Sequence, residues 1–459
     1  MLPQKFTERM KKILGKEYEK YENSMSCEKS SALRLNGVKS KNFEKFYEFE
    51  TEIGLKKIPY VTDGFYFSCE KPGNHSYHHA GLIYIQEPSA MMPVACLEGL
   101  LPENCDVKVL DSCASPGGKS SQVANIVSEN SIIVSNEIVP SRCKTLVGNT
   151  ERQGFRNFIV LNSDTKHLSQ KFSNEFSVVI CDAPCSGEGM FRKSEAAREE
   201  WSEENVLLCA ERQKEILSNL ASCVSDGGYL LYSTCTFSPE ENEMNVSWFL
   251  EKFPEFSLCR PNDIVIAHSY PGIDEYCTNF DKERVRRFYP FYADGEGQFL
   301  ALFKKAGDFT SGTEFSFKDG SRALSKDEQK AAEQFLSETV GKSQKNLRVY
   351  GENILILPDG MKVPENKVFM CGVKLGEYKS GRIVPHHHFF MAYGNEFIRK
   401  LDFSHDSSEI KKYLRGEGFD TDATDGWSAV CVDGIPVGGA KIVSGYLKNH
   451  YPKGLRLLN

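Results

Sequence analysis

No CxxC or CxxH pair occurs in the 459 residues, so the 15 cysteines lack the spacing of a structural zinc site. They are also too sparse for a disulfide scaffold and read as the reduced thiols of a cytosolic protein. No apolar run is long enough to cross a membrane. The opening segment, Met1 to Lys12, mixes acids with bases and leads into no apolar stretch of signal-peptide length. A cytoplasmic protein, neither exported nor embedded, is therefore expected. Nor is there an excess of basic charge: 56 Lys and Arg against 63 Asp and Glu leave a net −7, which excludes bulk attraction as the way a polyanion is gathered. A nucleic-acid partner must be held by local patches. One acid-free stretch, Gly434 to Asn459, carries Lys441, Lys448, Lys453 and Arg456.

The chain is long enough for about three domains. Residues 1–23 set Phe6, Met10, Ile13, Leu14, Tyr18 and Tyr21 at three- and four-residue spacing, an apolar helix stripe that packs on a neighbour. Ala32–Asn36 and Gly64–Ser68 read as short strands of a small N-terminal α+β module within 1–95. From 96 to 305 the texture becomes β-rich runs separated by helix-length segments: Val107–Asp111, Ile132–Asn136, Phe158–Leu161, Ser177–Cys181 and Gly228–Ser233, closing near Gln298–Phe303. That alternation predicts an α/β, doubly wound parallel sheet. A linker is expected over 306–325, and Ser325-Lys-Asp-Glu328 is a capping box for a helix to about Val340, opening a further unit over 326–395. A last unit, 396–459, holds a helix near Ser407–Leu414.

Val107–Asp111 runs into Ser-Cys-Ala-Ser-Pro-Gly-Gly-Lys119 and then a helical pattern. A strand, a Gly-rich turn and a helix N-terminus present backbone N–H groups to an anion or carboxylate. A P-loop would need glycine where Cys113 stands, and the dinucleotide pattern Gly-x-Gly-x-x-Gly fails as well. What remains is the looser turn of a class I methyltransferase, which needs only close backbone approach to a nucleoside. Glu137 follows the second strand at an offset suited to ribose hydroxyls, and Asp164 follows the third, where it could meet the adenine amine. Taken singly, each acid reads more readily as a helix cap or a solvated loop residue; together, each after the carboxyl end of its strand, they describe a nucleoside site at the switch point.

The fourth strand leads to Asp182-Ala-Pro-Cys-Ser-Gly187 and the fifth to Tyr232-Ser-Thr-Cys-Thr236. In a sheet of this order those strands are neighbours, so Cys185 and Cys235 are expected together at the carboxyl edge, where ligands bind. A thiol has a definite use there. Carbon 5 of cytosine is a poor nucleophile until a thiolate adds to carbon 6 and turns the ring into an enamine. Ser238-Pro-Glu-Glu241 reads as a capping box whose helix dipole would favour a Cys235 thiolate, and Asp182 would hydrogen-bond the base.

The motifs Asp111–Lys119, Asp182–Gly187 and Tyr232–Thr236, in this order, resemble the Sun-type RNA (cytosine-5) methyltransferases. The flanks Arg34-Leu-Asn36 and Tyr84–Pro93, and the tail segments Pro385–Phe390, Tyr413–Glu417 and Lys448–Arg456, are similar to the bacterial RsmF-type rRNA enzymes with a PUA-like ending. The resemblance implies a class I (Rossmann-like) sheet with a PUA-like region over 396–459, and S-adenosylmethionine as cofactor. That cofactor would be lined by Cys113, Ala114, Ser115, Pro116, Gly117, Gly118, Lys119, Glu137, Arg142, Asp164 and Asp182. Cys235 is implied as nucleophile and Cys185 as the residue that helps resolve the adduct. Ser115 departs from the alanine more usual there. The expected substrate is RNA, as 16S rRNA or a small-subunit particle, met by a monomer without a metal. tRNA, or an RNA-binding assembly role without catalysis, stands as the alternative. A DNA cytosine-5 enzyme would instead use the Pro184-Cys185 dipeptide; the second cysteine and the tail favour RNA.

Two further segments carry expectations. In the run His386–His388, read as a strand, only His386 and His388 share a face, and without a third ligand a metal is not expected. Lys282 to Tyr292 interleaves bases with aromatics, suited to RNA contact through Arg284 and Arg286, or equally to a packed strand pair with a charged edge.

Overall fold

The computed structural model describes residues 2–27, 30–41, 43–102, 105–344 and 346–457. Met1, Leu458 and Asn459, the ends of two stretches named above, lie outside them. Its centre is one large sheet. The strands β1 (Lys108–Asp111), β2 (Ile132–Asn136), β3 (Phe158–Leu161), β4 (Phe176–Asp182) and β5 (Val224–Thr234) are mutually parallel in the order β3-β2-β1-β4-β5. β6 (Val285–Phe288) and β7 (Gln298–Lys305) extend it antiparallel, with β7 beside β5. β2 and β3 are buried at every position, as parallel strands covered on both faces must be.

Two apolar layers provide that cover. On one face Leu217 and Leu220 of helix Glu203–Ala221 and Phe249 of helix Glu243–Lys252 pack on the sheet. On the other, Met91 and Met92, Val123 of helix α1 (Gly118–Val123) and Leu146 of helix α2 (Pro140–Gln153) do so. Among the described residues three smaller sheets accompany this unit. The N-terminal one is antiparallel, in the order Lys56–Lys57, Gly64–Tyr66, Ala32–Leu35, Ile83–Ile85.

Several segments differ from expectation for identifiable reasons. The first helix breaks at Gly15, whose φ of +51° ends Gln4–Leu14 before a short turn and a second helix, Tyr18–Ser24. The stripe survives the break, since Phe6, Met10, Tyr18 and Tyr21 all enter one aromatic cluster with Phe191, Trp201, Phe237 and Tyr289. Residues 306–321 have no regular structure but form a strap: Phe315 is buried in the main core, and Glu175 accepts from the Ser316 N–H at 2.9 Å. Strand β8 (Val368–Cys371) leaves its own region to pair antiparallel with β3 at the sheet edge. His386–His388 is no strand, because the His386 side chain accepts from the His388 N–H and caps helix His387–Tyr393.

Of the two readings of 282–292, the packed strand pair is the one found. Arg286 donates to the side chain and carbonyl of Ser269 at 2.8 and 2.6 Å, and Arg287 is buried with a bidentate grip on Glu243. Burial lowers the basicity of Arg287, but Glu243 and Tyr289 more than offset it and hold the guanidinium charged. Replacing Arg287 by alanine leaves Glu243 in the interior without its cation. The expected cost is about 3–5 kcal/mol, read as a lower denaturant midpoint, and a loss below about 1 kcal/mol would show the pair to be dispensable.

Candidate functional site

The turn after β1 is held from both sides. Gly117 has φ +110°, a conformation that favours glycine, and it leads into α1. Arg34, buried in the N-terminal sheet, donates to the Gly118 carbonyl at 2.8 Å and the Ser121 hydroxyl at 2.6 Å, and pairs with Asp63 at 3.2 Å. The N-terminal module thus fixes the helix start that closes the turn. Within the turn, Asp111 is fully buried; one oxygen accepts from Ser120 at 2.6 Å while Oδ1 has no partner among the described residues. Burial pushes its carboxyl up to about 7. Burial likewise pushes the Cys113 thiol up to about 12.

The next strand ends are tied by Asn136, which donates to the carbonyls of Ser112 and Ser163 and accepts from the Ser163 N–H. Beyond it, Glu137 is buried, accepting from the Val139 N–H at 2.8 Å, with Arg142 at 3.5 Å. Arg142 also donates to the Ser115 carbonyl at 2.9 Å, and the Ser115 hydroxyl donates back to the Arg142 carbonyl at 3.0 Å. Ser115 is therefore a reciprocal tie between the turn and α2, a role alanine could not fill. Asp164 differs in kind. It is half-exposed, caps helix Thr165–Lys171 by accepting from the His167 N–H, and faces Lys367 at 3.5 Å.

β4 and β5 pair in parallel with Asp182 opposite Ser233, so the loops carrying Cys185 and Cys235 leave the sheet side by side. The two sulfurs are 3.0 Å apart. The hydrogen bond with Cys235, then burial and the nearby Glu241, hold the Cys185 thiol well above its ordinary value. Asp182 accepts from Ser233 at 2.7 Å and pairs with Lys119 at 2.7 Å, which joins the Gly-rich turn to the cysteine loops.

The expected capping box at Ser238–Glu241 does not form. The helix starts only at Glu243, and the Ser238 hydroxyl donates instead to Glu188 at 2.7 Å, so no helix dipole acts on Cys235 from that position. Two acids take over the organisation. Glu188, from the Cys185 loop, accepts from the Thr236 hydroxyl and the Phe237 N–H at 3.0 Å each, and from Trp201 at 2.9 Å. Glu241, from the Cys235 loop, accepts from the Ser186 N–H at 3.0 Å, from the Ser186 hydroxyl, and from Gln213 at 2.8 Å. Each loop holds the other. Gly189 closes the contact: its N–H donates to the Cys235 carbonyl at 2.8 Å, which a Cβ at that position would approach equally closely. Neither acid was predicted. Both lie inside the cysteine motifs, but only burial separates them from solvated loop acids. The N-terminal helix braces the same loop, since Arg9 pairs with Glu240 at 2.6 Å.

The strand order, the Gly-rich turn after β1 and the antiparallel β7 define a class I methyltransferase fold. The family description "16S rRNA methyltransferase RsmB/F" matches residues 98–304, the RsmF N-terminal domain matches 2–88 and the RsmF PUA domain matches 400–457. The "Ribosomal RNA small subunit methyltransferase F" of Vibrio vulnificus is 30% identical over 99% of this chain and 97% of its own. That of an Escherichia coli O17:K52:H18 strain is 29% identical over 92% of this chain and 90% of its own. The solved structure of NSun6 from Pyrococcus horikoshii with SFG shares the fold at a TM-score of 0.57 and 20% identity, over 67% of this chain and 99% of its own. The chain belongs to the RsmF-type small-subunit rRNA methyltransferases. No helix among the described residues is long and apolar enough to cross a membrane.

Glu241 gives the site a pH signature. Burial, with a contribution from Glu188, raises its carboxyl from an ordinary 4.5 to about 7. Its contribution to stability is thus fully present below pH 4.5 and is lost as pH climbs through 7, because the unfolded chain gives up the proton first. The slope from this one group reaches about 1.4 kcal/mol per pH unit. Denaturation between pH 5 and 8 is expected to show that slope in the wild type and its removal in Glu241→Gln, while Asp111 contributes equally to both proteins. Identical curves would mean that Glu241 ionises as an ordinary carboxylate.

Proposed function

We propose that the protein methylates carbon 5 of cytidine in small-subunit rRNA, with S-adenosylmethionine as donor and Cys235 as nucleophile. The observation that carries this reading is the pair of sulfurs 3.0 Å apart at the carboxyl ends of adjacent strands, beside a carboxylate and a Gly-rich turn. A single thiol would be enough for a structural role. Two in contact at the ligand edge suit a reaction in which a carbon–sulfur bond is both made and broken.

The residues of the turn, Cys113–Lys119, with Glu137, Arg142, Asp164 and Asp182, form the cofactor side. The oxygen of buried Asp111 that lacks a partner among the described residues is a feature a small polar nucleoside can satisfy. When bound, S-adenosylmethionine supplies an electrophilic methyl group on its sulfonium. Asp182, anchored by Ser233 and Lys119, accepts from the amine edge of an unstacked cytosine and orients the ring. Cys235 gives its thiol proton to solvent and adds as thiolate to carbon 6, and the electron pair displaced from the 5,6 double bond makes carbon 5 nucleophilic. After methyl transfer the carbon 5 hydrogen leaves as a proton to solvent, its bonding pair restores the double bond, and the carbon–sulfur bond breaks with its electrons returning to Cys235. Cys185, held protonated, donates to the departing sulfur. Glu188 and Glu241 keep the two loops in register throughout.

Transfer of labelled methyl to small-subunit rRNA, with mapping of 5-methylcytosine, tests the proposal. Cys235→Ala should lose at least about three orders of magnitude in rate and form no covalent complex, while still binding cofactor. Cys185→Ser should accumulate a protein–RNA adduct stable on denaturing gels. Methylation by Cys235→Ala, or an adduct through Cys185, would overturn the assignment.

A further inference from the structure

The N-terminal module and the last sheet share one apolar core, in which Leu33, Phe49 and Tyr77 of the module join Leu401, Val430 and Ile442. Against Phe49 and Tyr77 of that core, three metal-ligating side chains from distant parts of the chain converge. Glu52 lies near the end of helix Phe46–Ile53, His75 precedes the short helix Ser76–His79, and His405 follows strand β9 (Lys400–Phe403). One ligand atom of each is within 4.8 Å of the other two. The Glu52 carboxylate offers Oε2 to His405 Nε2 at 3.1 Å and Oε1 to His75 Nε2 at 3.7 Å. Both rings are largely buried, whereas Glu52 is half-exposed and gives solvent a path to the cluster.

A second acid backs the ring of His405. Asp433 and Gly434, with φ of +46° and +81°, make the two-residue turn between β10 (Gly426–Val432) and β11 (Ile435–Val443), a turn that Asp-Gly favours. Asp433 Oδ2 accepts from the Tyr77 hydroxyl at 2.8 Å and the His405 N–H at 3.0 Å, and lies 3.2 Å from His405 Nδ1. Its Oδ1 is held by Lys45 at 2.6 Å. The His405 ring thus stands between two carboxylates. A neutral imidazole has one N–H to donate, so its other nitrogen sets a lone pair against an anion, which is repulsive unless a cation lies between them. With the proton on Nδ1, toward Asp433, the arrangement is the carboxylate–histidine–metal relay, and the place of the cation is between Nε2 and Glu52.

We propose that Glu52, His75 and His405 bind one zinc ion, with the fourth position open to solvent, and that the ion ties the N-terminal module to the last sheet. A tetrahedral ion with bonds of about 2.0–2.1 Å spaces its ligands about 3.3 Å apart, between the two separations from Glu52. His75 Nε2, at 3.7 Å, is too far from Glu52 for a hydrogen bond but suits a shared ion. Binding there moves the His75 proton to Nδ1, at the cost of the contact that this nitrogen accepts from the Tyr77 N–H at 3.2 Å. Glu52 and Asp433 against Lys45 alone leave a local excess of negative charge. Two imidazoles and a carboxylate suit zinc, whereas calcium and magnesium take shells of oxygen. The sequence shows no zinc spacing here because the ligands meet only in the fold.

The full-length protein, stripped with a chelator and dialysed against zinc, tests this by metal content and titration. The wild type should hold one more equivalent than Glu52→Gln or His405→Gln. Affinity at that equivalent should fall by more than about a hundredfold in either variant, beyond what outer partners alone command. Zinc at about a hundred times its dissociation constant should raise the Tm of the wild type and leave that of Glu52→Gln unchanged. Glu52 is half-exposed, so in chelator Glu52→Gln should melt with the wild type, which separates lost binding from lost folding. Because the 15 cysteines also have an affinity for zinc, cobalt(II) serves as a second probe. The equivalent lost in Glu52→Gln should show visible d–d bands without the charge-transfer band of a thiolate. Equal zinc in wild type and variants, or a thiolate band that Glu52→Gln leaves intact, would overturn the proposal. So would nitrogen chemical shifts showing both ring nitrogens of His405 protonated at pH 7 with zinc present, since a proton would then fill the place assigned to the ion.

Discussion

Two buried carboxylates, each reaching from one cysteine loop into the other, fix the geometry on which the site depends. Glu188 gathers the hydroxyls and N–H groups around Cys235, and Glu241 does the same beside Cys185. An acid without water must have its oxygens satisfied by the protein, so separating the loops would strip several hydrogen bonds at once. The constraint therefore holds two sulfurs in contact without a covalent bond between them. The aromatic cluster of the N-terminal helix and the Arg9–Glu240 pair add an outer layer to the same latch.

The same reasoning explains how the N-terminal module belongs to the site. Arg34 is almost completely buried and directs its guanidinium at the Gly118 carbonyl and Ser121, across the boundary into helix α1 of the methyltransferase unit. Asn136 and the Ser115–Arg142 tie act from the opposite side. The turn is thereby pre-organised by elements far apart in the chain. Charge is used in a corresponding way. Arg286 and Arg287 are committed to internal bonds, so a run of bases in the sequence does not by itself mark a free surface.

Much of this was legible in the residues. β3 coincides with its apolar run and β2 begins on one, because a strand buried on both faces is apolar on both. The adjacency of Cys185 and Cys235 followed from strand order alone. Harder to read were segments whose local signal was real but outcompeted. Ser238-Pro-Glu-Glu has the form of a capping box, yet its serine found a buried carboxylate and its last glutamate was drawn inward to Ser186, so the helix began later. The three histidines have strand-like neighbours, but a ring nitrogen of His386 capped a helix instead.

The sequence by itself determined the parallel sheet, the Gly-rich turn after its first strand and the two thiols at its carboxyl edge, because periodicity and turn chemistry are local properties. Tertiary structure alone decided how each acid is held. Asp164 became a half-exposed cap, while Glu188, unremarked as a letter, and Glu241, expected to cap a helix, became the buried supports of both cysteine loops. It also decided that Arg286 and Arg287 turn inward to Ser269 and Glu243. The physical reason is common to both: a charged side chain takes its role from its burial and from the partners that long-range contacts bring to it, and neither is written in its neighbours along the chain.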